Sequence, residues 1–281
     1  YYNSLAAELA DVHPSLVYNM DEMGMEMFAD RKDVMVFVRP ENITNRRSLF
    51  VGVPRSNRRC TLIACIALNG DTLKPGLIIK TKSVNSSLVD RGYDTDKVHL
   101  FRTESSYISR DVFDEWLRCV FLPHVNEKRR LLQQRLGWGD YKAVLILDNC
   151  TCHTAEEFRD TLRPYNVTLK FLPPHTSHLT QPLDVGVFAK TKSTIRSTAR
   201  YVIALHDIDE AVADEINAEA HRRPVSTEKG KLLADFLVRI LSAFRHSTAP
   251  EMVTSAFEQV GICSREVAGR NGRRETYIDP A

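Results

Sequence analysis

Three features of the sequence predict a mixed α/β fold built as one domain. The apolar run Cys60-Thr-Leu-Ile-Ala-Cys-Ile-Ala-Leu68 has strand length and meets Asn69-Gly70, a strong hairpin turn signal. A second run, Ala143 to Leu147, is continuously apolar, as in a central strand covered on both faces. From Ser109 onward, on both sides of the second run, apolar residues fall at helical spacing, so the second half alternates helix and strand.

Element by element, Tyr1 to Ala10 reads as the middle of a helix, and with no initiating Met the chain is expected to be an excerpt from a longer protein. Leu16 to Met20 is a short strand ahead of Asp21, and Val34 to Val38 is a further apolar run. With Cys60 to Leu68 and Thr72 to Ile79 these form an antiparallel meander. Lys80 to Thr103 is polar and irregular, a loop. Ser109 is placed to N-cap a helix carrying Asp111 in its first turn and Phe113, Trp116, Leu117, Val120 and Phe121 on one face, with Pro123 near its end. Gly137 and Gly139 break the chain before the Ala143 strand. A helix over Ala155 to Leu162, a strand over Val167 to Leu172 stopped by Pro173-Pro174, and a helix over Val185 to Leu205 complete a core of about residues 1–205. The remainder, about 206–281, is a helical tail: acidic from Asp207 to Glu219, amphipathic over Lys231 to Phe244 and Pro250 to Val260.

Composition excludes more than it selects. The 38 basic and 36 acidic residues leave a net charge of +2, so any nucleic-acid surface must be local. No apolar run approaches the roughly 18 residues of a membrane span, and no membrane partner is expected. The six cysteines show no CxxC pair and read as reduced thiols of an intracellular protein. Cys150-Thr-Cys152-His153 is too tightly spaced, and lacks the second pair, for a zinc finger.

The chemistry concentrates on Asp21, Asp148 and Asp184. Asp21 and Asp148 each follow a strand-like apolar run, and Asp184 opens a helix. A buried carboxylate at a strand end must be hydrated, paired or bound to a cation. Taken singly, each aspartate is better explained by a turn or a helix cap. Brought together, three would offer hard oxygen ligands of the kind that suit Mg²⁺ or Mn²⁺ and chemistry on phosphate.

The flanking residues point further. Asn19-Met-Asp-Glu-Met-Gly24, Leu147-Asp-Asn-Cys-Thr-Cys-His153 and Leu172-Pro-Pro-His-Thr-Ser-His-Leu-Thr-Gln-Pro-Leu-Asp-Val-Gly-Val-Phe188 resemble, in order, the three signature blocks of the pogo/Tigger branch of the mariner transposase superfamily. Centromere protein B and the jerky-type proteins are domesticated members of that branch. Met23 stands where Thr is common in the first block, and Cys150-Thr-Cys152 is a variant of a tolerant stretch; neither removes a carboxylate. The resemblance implies an RNase H-like fold, with a mixed sheet flanked by helices. It implies that Asp21, Asp148 and Asp184 form a catalytic all-aspartate triad holding Mg²⁺ or Mn²⁺, in a nuclear enzyme that cleaves DNA at transposon ends and joins it to target DNA. The sequence-specific DNA-binding module would then lie upstream, a homodimer is left open, and no small-molecule cofactor is expected.

Supporting positions follow. His153 is either an active-site neighbour, as the resemblance implies, or a residue ordering the next helix. His178 and Gln181 shape the loop before Asp184, while Lys190 and Lys192 follow it closely enough to hold phosphate. Adjacent strand residues face opposite ways, so only one of Asp21 and Glu22 is a ligand, and the block selects Asp21. Further basic clusters are Arg46-Arg47, Arg55 with Arg58-Arg59, Lys128-Arg129-Arg130, and Arg270 with Arg273-Arg274. The alternative reading is a domesticated, non-catalytic DNA-associated protein using the same fold as an interaction scaffold.

Overall fold

A computed structural model describes residues 2–26, 59–80, 88, 92–150, 156–197, 225–268 and 274–280. Val34 to Val38, the basic residues Arg46 to Arg58, His153, and the acidic stretch Asp207 to Glu219 lie outside them.

Six strands form one mixed sheet: β1 (Val17–Glu26), β2 (Arg59–Ala67), β3 (Gly76–Ile79), β4 (His99–Arg102), β5 (Ala143–Leu147) and β6 (Val167–Phe171), in the order β4-β3-β2-β1-β5-β6. β1, β2 and β3 are antiparallel neighbours, the expected meander, whereas β5 and β6 run parallel to β1. With helices on both faces this is an RNase H-like arrangement. β5 is buried at every position, as its unbroken apolar run predicted. Gly70 turns the chain after β2 at φ 94°, where a Cβ would lie 3.2 Å from the Pro250 backbone.

One face of the sheet is covered by α2 (Arg110–Trp116), a π-turn (Leu117–Phe121) and α3 (Leu122–Leu136). Ser109 caps α2, its hydroxyl accepting from Val112 N at 3.3 Å. The aromatic side chains meet Tyr18 of β1: Trp116 stacks on Phe121 at 5.4 Å, and Tyr18 meets Phe121 edge-on at 5.2 Å. From the middle of α3, Arg129 donates to the backbone carbonyls of Tyr141 (2.7 Å) and Asn166 (2.9 Å), which precede β5 and β6.

The other face carries a short helix α5 (Ser177–Thr180) and a second π-turn (Leu183–Phe188) that runs on as helix to residue 197. α1 (Tyr2–Leu9) precedes β1, and α4 (Glu156–Leu162) links β5 to β6. In the tail, α6 (Val225–Ser247) and α7 (Pro250–Gln259) bury Leu237, Ile240, Phe244, Val253 and Phe257 in the common core.

Four local expectations need correction. Pro123 does not end its helix; it lies in the first turn of α3, which continues directly from a π-turn in which Leu122 N donates to the Leu117 carbonyl five residues back. The loop after Lys80 contains β4, which pairs with β3; Gly76 lets Phe101 pack where a Cβ would lie 2.7 Å from its ring. Asp21 does not end its strand, because β2 continues to pair with β1 as far as Glu26. The tail, after its two helices, ends in an antiparallel pair, β7 (Ile262–Ala268) and β8 (Arg274–Pro280).

Candidate functional site

The register of β1 against β5 places the first two aspartates. The parallel pairing ends at Asn19↔Ile146, and Asp21 and Asp148 each lie two residues beyond, at the same end of adjacent strands. There β5 has finished while β1 continues against β2 alone, leaving an open corner beside Asp21. Alternation along β1 puts Asn19 and Asp21 on the face of the second π-turn, and Tyr18, Met20 and Glu22 on the face of α2 and α3. Asp184 lies in the first turn of that π-turn, and Leu183, Val187 and Phe188 are its buried anchors.

Gly186 brings this turn against α7. A Cβ there would lie 2.6 Å from Ala256 Cβ and 3.2 Å from Ala256 Cα, so the two helices touch backbone to backbone.

A buried amide network ties the pieces together. Asn19, fully buried, donates from Nδ2 to Gln181 Oε1 (2.7 Å) and to the Ile146 carbonyl (3.2 Å), and its Oδ1 accepts from Leu183 N (3.2 Å). Gln181, equally buried, donates from Nε2 to the Met20 carbonyl at 3.3 Å, and its amide favours the charged form of the Asp21 carboxyl beside it. Gln181 was singled out by the sequence; Asn19 was missed. The signal for it was a buried-strand position filled by an amide between Tyr18 and Met20, because such a group has to find partners.

The carboxylates feel one another. Burial lifts the Asp21 carboxyl well above the usual range, with the charges of Glu22 and Asp184 adding to the effect, against the hydrogen bond from Glu22 N and the Gln181 amide. Asp184 is exposed, yet partial desolvation raises its carboxyl too; Lys192 pulls it down and the Asp148 charge pushes it up. Asp148 accepts from Cys150 N at 3.2 Å through Oδ1. Among the described residues, no group of three or more His, Cys, Asp and Glu side chains is close enough to hold a metal ion. The three carboxylates are therefore neighbours in charge without forming a closed cage.

Lys190 and Lys192 are exposed on the helix after Asp184, with Lys192 within electrostatic reach of it. His178 is exposed on α5. Each member of the Lys128-Arg129-Arg130 cluster has a partner within the chain: Lys128 pairs with Asp71 at 2.6 Å, the exposed Arg130 with Glu127 at 2.7 Å, and Arg129 with the two carbonyls. Arg59, the described member of the basic segment, lies over the Tyr107 ring at 4.4 Å.

The raised Asp21 carboxyl has a consequence for stability. Ionising it opposes folding, so the metal-free protein should lose stability as pH rises from the ordinary aspartate range through the raised value. Asp21→Asn is expected to remove that slope and raise the melting temperature at neutral pH, within the roughly 0.5–2 kcal/mol typical of stabilising substitutions. Melting both proteins across a pH series without metal checks it; parallel curves would count against the buried charge.

The family model for the DDE superfamily endonuclease matches residues 56–257. The chain belongs to the DDE superfamily of endonucleases. The matched stretch contains Asp148 and Asp184 and begins after Asp21. Among curated proteins, the chain is 28% identical to the human "Jerky protein homolog" over 66% of its own length, and 29% identical to the human "Tigger transposable element-derived protein 7" over 59%. It spans 30% of the length of each of those relatives. Among solved structures it is similar to the Mos1 transposase in a pre-cleavage transpososome, with 14% identity and a TM-score of 0.42 over 91% of this chain and 60% of that one.

Proposed function

We propose that this chain is the metal-dependent DNA endonuclease and strand-transfer domain of a pogo-like transposase, with Asp21, Asp148 and Asp184 as its catalytic, metal-holding carboxylates. The observation that supports this most is the β1–β5 register, which leaves Asp21 and Asp148 at one sheet corner, within electrostatic reach of Asp184. The donor set fits a hard divalent cation, Mg²⁺ or Mn²⁺. All three donors are carboxylates, and two are raised in part by neighbouring negative charge that a cation relieves. When bound, such a metal neutralises charge on the scissile phosphate and lowers the pKa of an attacking water. The Gln181 amide favours the charged Asp21 carboxyl, and the exposed Lys190 and Lys192 offer cations to the DNA backbone beside Asp184. His153 follows Asp148 in the same block and is assigned a supporting role. Cleavage leaves a 3′-hydroxyl, which the same corner holds for attack on target DNA. The protein acts in the nucleus, with transposon ends and target DNA as partners.

The second reading, a domesticated DNA-associated scaffold without cleavage, is favoured by one observation: no three-ligand group is assembled among the described residues. Mg²⁺ itself commonly uses one or two carboxylates, waters and substrate phosphate, so an open arrangement is compatible with either. Metal-dependent nicking of a transposon-end duplex separates the two. Appearance of nicks on adding Mg²⁺ or Mn²⁺ supports the enzyme; their absence with intact DNA binding supports the scaffold.

DNA binding by residues 1–281 is expected to be weak, indifferent to sequence and steeply salt-dependent. The net charge is only +2, and one of its basic clusters is paired internally. A salt series on transposon-end and scrambled duplexes checks this. Tight binding that prefers the transposon end at physiological salt would place specificity in this chain.

A further inference from the structure

We infer that Asn19 is the positioning residue that fixes the three aspartate-bearing segments relative to one another; the inference rests on the metal-holding role proposed for those aspartates. Its side chain makes three hydrogen bonds. Nδ2 donates to the carbonyl of Ile146, two residues before Asp148. Oδ1 accepts from the amide of Leu183, the residue before Asp184. The second Nδ2 bond goes to Gln181 Oε1, and Gln181 Nε2 in turn donates to the carbonyl of Met20, the residue before Asp21, which lies on the same face of β1 as Asn19. One side chain thus grips the end of β5, the start of the π-turn and the amide beside the β1 carboxylate.

The chemistry of the position requires an amide. Two of its contacts need a donor and one needs an acceptor, within a space where the residue is fully buried. A carboxylate at residue 19 could accept from Leu183 N but could donate to neither oxygen, and an aliphatic side chain could do neither. A merely packed core position in this strand would be filled as its neighbours are, by Tyr18 and Met20, both fully buried. Nor are the partners scattered: each lies within two residues of a different aspartate, or beside it. Because every polar group of the amide is satisfied across three segments, losing it frees the segments together and leaves buried partners unpaired.

The test is Mn²⁺ binding by titration calorimetry on the whole 281-residue chain, wild type against Asn19→Ala, well below the melting temperature of both. Hydrogen exchange at the Leu183 amide is measured in parallel. Wild type is expected to bind Mn²⁺, and the variant to bind it about 10- to 100-fold more weakly, the usual scale for losing a group that orients a metal ligand. The Leu183 amide should exchange faster in the variant while the remaining core amides stay protected. A folded variant with wild-type Mn²⁺ affinity would overturn the positioning role. If Asn19→Ala does not fold, Asn19→Ser, which keeps one hydroxyl to donate or accept, takes its place under the same two outcomes. Failure of wild type itself to bind Mn²⁺ would instead sink the metal-holding reading, and this inference with it.

Discussion

Asp148→Asn is expected to abolish Mg²⁺-dependent nicking while leaving the melting temperature of the metal-free protein nearly unchanged. The substitution is close to isosteric, and an Asn Oδ1 can still accept from Cys150 N, the turn bond that Asp148 makes at 3.2 Å. β5 ends at Leu147, so the strand itself is untouched. What disappears is a negative charge at the corner shared with Asp21 and Asp184. Removing one member of a catalytic unit typically costs most of its activity, here on the order of 10³-fold or more. Nicking and thermal melting, run on the same preparations, separate chemistry from folding. Retained nicking would remove Asp148 from the mechanism, and loss explained by unfolding would leave it a structural residue.

Gly186→Ala is expected to destabilise the protein by about 1–3 kcal/mol, the usual cost of forcing a methyl group into a packed interface. The new Cβ would lie 2.6 Å from that of Ala256, and neither helix has a flexible side chain there to move aside. Ala256→Gly removes the opposing methyl, so the double variant should recover most of the loss relative to Ala256→Gly alone. The single change Ala256→Gly has its own cost of about 1 kcal/mol from helix propensity. The signature is therefore non-additivity across the double-mutant cycle. Simple additivity of the two changes would mean that the helices are not in contact at this point. Since Asp184 sits two residues before Gly186, displacement of the turn should lower metal affinity along with stability.

Much of this architecture could be read from residue patterns alone. The unbroken apolar run Ala143 to Leu147 announced a strand buried on both faces, and Asn69-Gly70 announced the turn after β2, because both depend on local chemistry. β4 was hidden because a four-residue strand leaves too short a pattern, and its pairing with β3 depends on a glycine more than 20 residues away. Pro123 misled for a related reason: whether proline ends a helix or begins its next turn depends on the π-turn before it, which carries no sequence signature. In the candidate site, the aspartates stood out by their surroundings, whereas Asn19 did not. Its importance comes from partners 127 and 164 residues away, which only the folded sheet brings to it.

The π-turn that carries Asp184 makes this corner of the molecule more vulnerable to a lost residue than to a changed one. A π-turn holds one residue more than the α-helix it interrupts, and each residue of an α-helix advances about 100° around its axis. Deleting any single residue between Asp184 and Phe188 would let the segment relax to ordinary helical spacing. Its two fixed contacts could not both be kept: Leu183 is hydrogen-bonded to Asn19 at the start of the turn, and Gly186 in its middle rests on Ala256. Either the tail helix would have to turn with it, or the carboxylate would swing about a quarter-turn away from its partners. A substitution such as Gly186→Ala strains one contact, whereas a deletion shifts every residue after it relative to both the Leu183 and the Gly186 contacts.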